Sequence, residues 1–267
     1  MATADAEVRV AKLLAGALGA RPSWPTPFDR SGGPLDREVH ATLAISLYEE
    51  TGPFFDARLD DDPRTPLTNA LTALVELADR HALSTYDGQL DPAYAVAFPP
   101  QHEIEAALLR AGVPEWAATQ GVNLTLAQAP NGARAADANP RGVDARQLDA
   151  NECAAALASQ FSLMHKLYGD ASTALAASPD QKGLESETMR HVSCELILGA
   201  KSTALRAAAT VGPRSWQSAA ALFHMSHGLF AMAWGRRLEF PTSEYLLGAR
   251  DSPDTQQWAD AFGLSLT

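Results

Sequence analysis

The stretch from Ser178 to Gly212, SPDQKGLESETMRHVSCELILGAKSTALRAAATVG, constrains the rest of the chain most. Ser178–Pro179, with Gln181 three residues after the serine, has the form of a capping box, and proline stands where its missing N–H costs nothing. Gly212–Pro213 is a stop signal. Between them Met189, Val192, Leu196 and Ala200 share one helical face. Glu187, His191, Cys194, Glu195 and Leu198 stack on another. The spacing predicts a buried helix carrying a polar stripe. A histidine with a carboxylate one turn away on each side and a thiol beside it offers the donors that a metal or a haem iron takes. The same residues also describe a core histidine hydrogen-bonded to Glu187 or Glu195, and both readings stand at this point.

Alanine is abundant elsewhere and β-branched runs are scarce, so helix should dominate. Residues 5–19 suit an amphipathic helix ended by Gly19 and Pro22. Residues 21–34 are too rich in proline and glycine to be regular. A second helix is predicted over 35–50, ended by Gly52–Pro53, with Val39, Leu43 and Leu47 as its apolar stripe and His40, Ala44 and Leu47 on an adjoining one. Thr65–Pro66 opens a third that runs to about His81, where the histidine either turns into a cleft or meets the helix C-terminal carbonyls. A short helix follows Pro99–Pro100 and ends at Gly112–Val113–Pro114. Residues 129–146 carry the strongest loop signal. Helix returns over 149–168 and in the 178–212 stretch. It ends in SWQSAAALFHMSHGLFAMAWG from Ser215, which is apolar nearly all round and so central and buried. The fold class is therefore all-α: a single multi-helix domain of seven or eight helices around a buried central pair. Residues 1–34 form an N-terminal helix and irregular arm, and 35–267 the helical catalytic domain.

Composition narrows the partners. With 46% hydrophobic and 20% charged residues the chain is an ordinary globular protein. A net charge of −11 opposes nucleic-acid binding, which needs clustered Lys and Arg. No apolar run approaches the ~18 residues of a membrane span. The acidic, amphipathic N-terminus is not a secretory signal. Cys153 and Cys194 make no disulfide framework, and a reducing cytoplasm is expected.

There is no G-x-S-x-G elbow, and Cys194 lies only three residues from His191 on one helix, so nucleophilic catalysis is poorly supported. No G-x-G-x-x-G or Walker loop cradles a phosphate. The run Asp60–Asp61–Asp62 precedes Pro63 and lacks a second acidic motif, so it reads as a solvated loop and cap rather than a Mg²⁺ site. What remains is a helical interior bearing histidines, the kind that hosts haem, iron pairs or small apolar ligands.

The run Arg190–His191 followed by an apolar helix and Gly199-x-Lys201 resembles the axial-histidine helix of tryptophan 2,3-dioxygenases. Leu47–Tyr48–Glu49, with Phe54–Phe55 beyond, is similar to that family's distal helix. The wider superfamily, histidine-ligated haem-dependent aromatic oxygenases, is all-helical and includes L-tyrosine hydroxylases of natural-product biosynthesis. Some of these carry a cysteine soon after the axial histidine, as Cys194 follows His191 here. The resemblance implies a haem-dependent monooxygenase that hydroxylates a small aromatic substrate with oxygen or peroxide. His191 would be the iron ligand, with Glu187, Glu195 and Cys194 around the cofactor. The family's distal histidine position is Ile45 here, so His40 or His81 would take the catalytic role. Tyr48, Arg206 and Arg236 would contact substrate, an arginine pairing with its carboxylate.

Two alternatives compete. Glu187-x-x-x-His191, with Glu49, Glu76 and His81, suggests a non-haem di-iron oxygenase holding two iron ions. A non-catalytic helical binding or dimerisation module would keep its histidines as structural residues, and a homo-oligomer is compatible with every reading.

Overall fold

The computed structural model of the protein describes residues 2–19, 34–56, 65–86, 98–99, 101–126, 166–167, 169–171, 173, 189–199, 216–238 and 253. Among these residues helix dominates and no strand occurs, so the all-α class holds. The chain divides into two compact units, Met1–Ser84 with Leu90–Val143, and Thr85–Gln89 with Asp144–Thr267.

In the first unit α1 spans Ala2–Gly19, α2 Pro34–Asp56, α3 Pro66–Leu83, α4 Gln101–Arg110 and α5 Val113–Thr119. Thr65 starts α3: its hydroxyl accepts from the Thr68 N–H at 3.2 Å, and Pro66 occupies the first turn, where no N–H is needed. α3 packs against α1, α2, α4 and α5 alike, and so is the axis of the unit. Its Leu67, Leu71, Leu74 and Leu77 meet Val10, Leu14 and Leu18 of α1, Ile104 and Leu108 of α4 and Val113 of α5 in one core. α1 thus contributes three buried side chains to that core.

Three expectations change. α2 does not stop at Gly52–Pro53 but continues through Pro53 to Asp56. Only three residues follow the proline, so the ladder loses a bond in its last turn rather than mid-helix. Val39 is 57% exposed, and the buried face of α2 is instead His40, Ala41, Ala44, Ile45 and Tyr48. Leu43 and Leu47 are half-buried at the edge of that face. The stop at Gly112–Val113–Pro114 ends α4 but also begins α5, because Gly112 takes a positive φ of 68° and Pro114 then starts a new helix.

In the second unit residues 189–199 form helix α6, and Trp216–Ala233 form α7. Every residue from His224 to Ala233 is buried, as the all-round apolar sequence of that stretch predicts. α6 differs from expectation. Its buried positions are Ser193, Cys194, Ile197 and Leu198, while Met189, Val192 and Leu196 are half-buried. The polar stripe is therefore split, with Cys194 and Leu198 inside and His191 and Glu195 toward solvent. The irregular segment 21–33, the aspartate run and the loop at 129–146 lie outside the described residues.

Leu74→Ala, at a fully buried position of α3, should cost about 2–5 kcal/mol in urea unfolding. Leu109→Ala, on the exposed side of α4, should stay within about 0.5 kcal/mol of the parent.

Candidate functional site

The histidines His40, His81 and His191 fall in two polar clusters among the described residues, one in each unit. The first is on α3. Asp79, Arg80 and His81 are consecutive, so on a helix they point in three directions about 100° apart. They are only 0%, 4% and 2% exposed, because α3 is enclosed on all sides there. Each polar group then needs a partner of its own. The Tyr48 hydroxyl of α2 donates to Asp79 Oδ1 at 2.6 Å. Arg80 Nη1 donates to the Pro99 carbonyl at 2.8 Å. His81 Nδ1 lies 2.9 Å from His40 Nδ1 of α2, the ring centroids 5.2 Å apart. One of these nitrogens donates and the other accepts, so the two rings hold complementary tautomers. Burial, reinforced by His40 and by the Arg80 cation, holds the His81 imidazole down at about 3, and it is neutral at pH 7.

A cleft of about 650 Å³ opens between α1 and α2 and reaches His81. It exists because both helices lean on α3 rather than mainly on each other. Leu13 and Ala17 of α1 face Leu43 and Leu47 of α2 across it, and the charged side chains of Asp5, Arg9, Lys12 and Glu50 also line it. Arg9 and Glu50 form an ion pair from opposite walls. Gly16 belongs to the same wall, and a side chain added there would enter open space.

The second cluster joins α6 to the segment just after α3 in the chain. The Tyr86 ring stacks on His191, centroids 4.4 Å apart, with its hydroxyl 3.2 Å from His191 Nε2. That hydroxyl donates to Glu195 Oε1 at 3.1 Å, and the same carboxylate oxygen lies 3.4 Å from His191 Nε2. Desolvation, then the bond to Glu195, pushes the Tyr86 phenol up to about 12, so it keeps its proton. Beneath, Thr85 Oγ1 lies 3.6 Å from the buried Cys194 Sγ. Arg190 places its guanidinium 4.0 Å over the Trp234 ring. On α7 His224 and His227 are both buried, and burial, then His227, holds His224 at about 3.

This arrangement bears on the expected cofactors. Whether His191 Nε2 offers a lone pair to an iron depends on which tautomer its contacts with the Tyr86 hydroxyl and Glu195 Oε1 select. An axial haem ligand needs that lone pair and the space in front of it, which Tyr86 and Glu195 occupy. For the di-iron alternative, no three His, Cys, Asp or Glu side chains converge among the described residues, so Glu49, Glu76 and His81 do not form a metal group.

The sequence-predicted residues thus separate. His40 and His81, proposed as alternatives, sit side by side. Tyr48 engages Asp79, and His191 and Glu195 meet Tyr86. Cys194 turns inward, and Arg236 is exposed beyond α7. Glu187 and Arg206 lie outside the described residues. Sequence reasoning missed Asp79, Arg80 and Tyr86. An Asp-Arg-His run closing an apolar helix was a usable signal for the first two. For Tyr86 there was none, since its partners are more than a hundred residues away.

No protein-family model, curated protein or solved structure matches this chain.

Two buried neutral histidines set an acid response. From pH 6.5 down to about 3 the unfolded chain protonates His81 and His224 while the folded chain does not. Stability should therefore rise with pH across that window and fall on acidification, by up to about 1.4 kcal/mol per pH unit for each group. Urea midpoints at pH 7.5 and 5.5 measure the slope, and His224→Gln should reduce it. Tyr48→Phe, which strips Asp79 of a buried donor, should cost about 1–3 kcal/mol.

Proposed function

We propose that the protein is an enzyme that binds a small aromatic molecule in the α1–α2 cleft and moves a proton at His81. The observation that carries this reading is the His40–His81 contact of 2.9 Å at the cleft. The neutral His81 imidazole presents a hydrogen-bonding nitrogen to a ligand, it takes up a proton only at the cost that its value of about 3 sets, and the His40 ring at its Nδ1 orients it. The cleft has the size of a small-molecule site, with apolar walls for a ring and the exposed Lys12 ammonium for a carboxylate. Tyr48–Asp79 fixes α2 against α3 and so holds His40 in place.

The finer expectation, haem-dependent hydroxylation in natural-product biosynthesis, rests on the sequence resemblance around His191 alone. No step is assigned to haem here. An absorption spectrum of protein produced with added iron and haem precursor tests it: a Soret band lost in His191→Ala supports it, and no band after reconstitution removes it.

Gly16→Leu should fill the cleft without loss of stability, since the new side chain meets open space and glycine is a poor helix residue. Titration with aromatic amino acids and phenols, followed by thermal shift, should show ligands that the parent binds and Gly16→Leu does not. His81→Gln should keep binding but lose about 10²–10⁴-fold in turnover of such a ligand. Ligand binding indifferent to Gly16→Leu removes the cleft as the site.

A further inference from the structure

We infer that the Arg9–Glu50 ion pair across the α1–α2 cleft is an exchangeable clasp that selects aromatic carboxylates: the carboxylate of the ligand takes the place of Glu50 on the Arg9 guanidinium. The inference rests on the cleft reading above and names its ligand class.

The cleft is polarised along its length. On α2 its wall runs from Leu43 through Leu47 to Glu50, and on α1 from Gly16 through Leu13 and Lys12 to Arg9. Each row covers roughly two turns of helix, about 11 Å. Arg9 and Glu50 pair from opposite walls, so charge gathers at one end and apolar side chains at the other. A ring lodged between Ala17 and Leu43 points its substituent along α1 toward Lys12 and Arg9. These two cations are neighbours on the helix surface. Asp5 lies a further turn toward the start of α1, so the substituent meets the cations first.

The clasp is weak enough to exchange. The Arg9 and Glu50 side chains are 59% and 34% exposed. Water screens a pair so placed, and its closed form outweighs the open one by only about two- to fivefold. On exchange Glu50 gives up a cation and regains water, while Arg9 trades one carboxylate for another, so no charge is buried unpaired. The gain comes from delivery and geometry. A ring already seated in the apolar half holds its carboxylate at high effective concentration beside Arg9. The planar guanidinium then grips that carboxylate through two parallel N–H bonds. A neutral ligand meets Arg9 already satisfied by Glu50 and gains nothing at that end. The pair therefore makes an apolar cleft discriminate by charge.

Calorimetric titration of the full chain with 3-phenylpropionate and with its neutral amide tests the exchange. The two compounds share ring and spacer, so the ratio of their affinities reads the charged end alone. The parent should prefer the acid by about tenfold. Glu50→Gln removes the competitor and should raise acid affinity about two- to fivefold with the amide unchanged. Arg9→Gln should cut the acid-to-amide ratio by about fivefold or more. Arg9→Lys keeps the charge but loses the fork, and should still cost the acid severalfold, which a general field effect would not. Both side chains are solvent-accessible, and urea midpoints of these variants should stay close to the parent's. An acid-to-amide ratio unchanged in Arg9→Gln overturns the clasp, as does acid affinity unchanged or lowered in Glu50→Gln. In either case, binding of both compounds that disappears in Gly16→Leu leaves the cleft itself standing. Binding that persists in Gly16→Leu, or no binding of either compound to the parent, overturns the clasp as well.

Discussion

The first unit depends on the complete enclosure of one helix. A helix that borders solvent has a face on which polar residues need no partner in the protein. α3 has none over its last two turns, where Leu77 to Leu83 are buried without a break. Apolar neighbours there contribute about 25 cal/mol per Å² of apolar surface removed from water. Asp79, Arg80 and His81 gain nothing from that burial and cost stability unless each is paired. Their partners come from α2 and from Pro99, so the same contacts that satisfy the polar run dock its neighbours in one register.

That constraint also shapes the cleft. α1 and α2 both pack on α3, and space remains between them where the α1 wall includes the small residues Gly16 and Ala17. His81 is the residue that the buried interior shares with this opening. Its neutrality follows from the interior.

The second unit handles its polar residues differently. On α7 His224 and His227 are both buried, with burial setting the charge state of His224. On α6 the half-exposed His191 and Glu195 keep solvent on one side and take Tyr86 on the other. Burial fixes a protonation state, whereas partial exposure leaves it open to exchange with solvent.

Much of this architecture was legible in residue spacing. Thr65–Pro66 opens α3 because a hydroxyl cap and a proline act within one turn. The stretch from His224 to Ala233 is buried because it offers almost no polar face, whatever surrounds it. Such features depend on neighbours a few residues apart, and the sequence by itself determined them: the helical class and most helix starts. Tertiary structure decided which face of each helix goes inward and which distant residues meet. Val39 lies on an apolar stripe and is exposed, since α3 covers the face of α2 that carries His40 and Tyr48. The pairs His40–His81 and Tyr86–His191 join residues far apart in the chain, and such contacts follow from how helices pack, which no local pattern encodes.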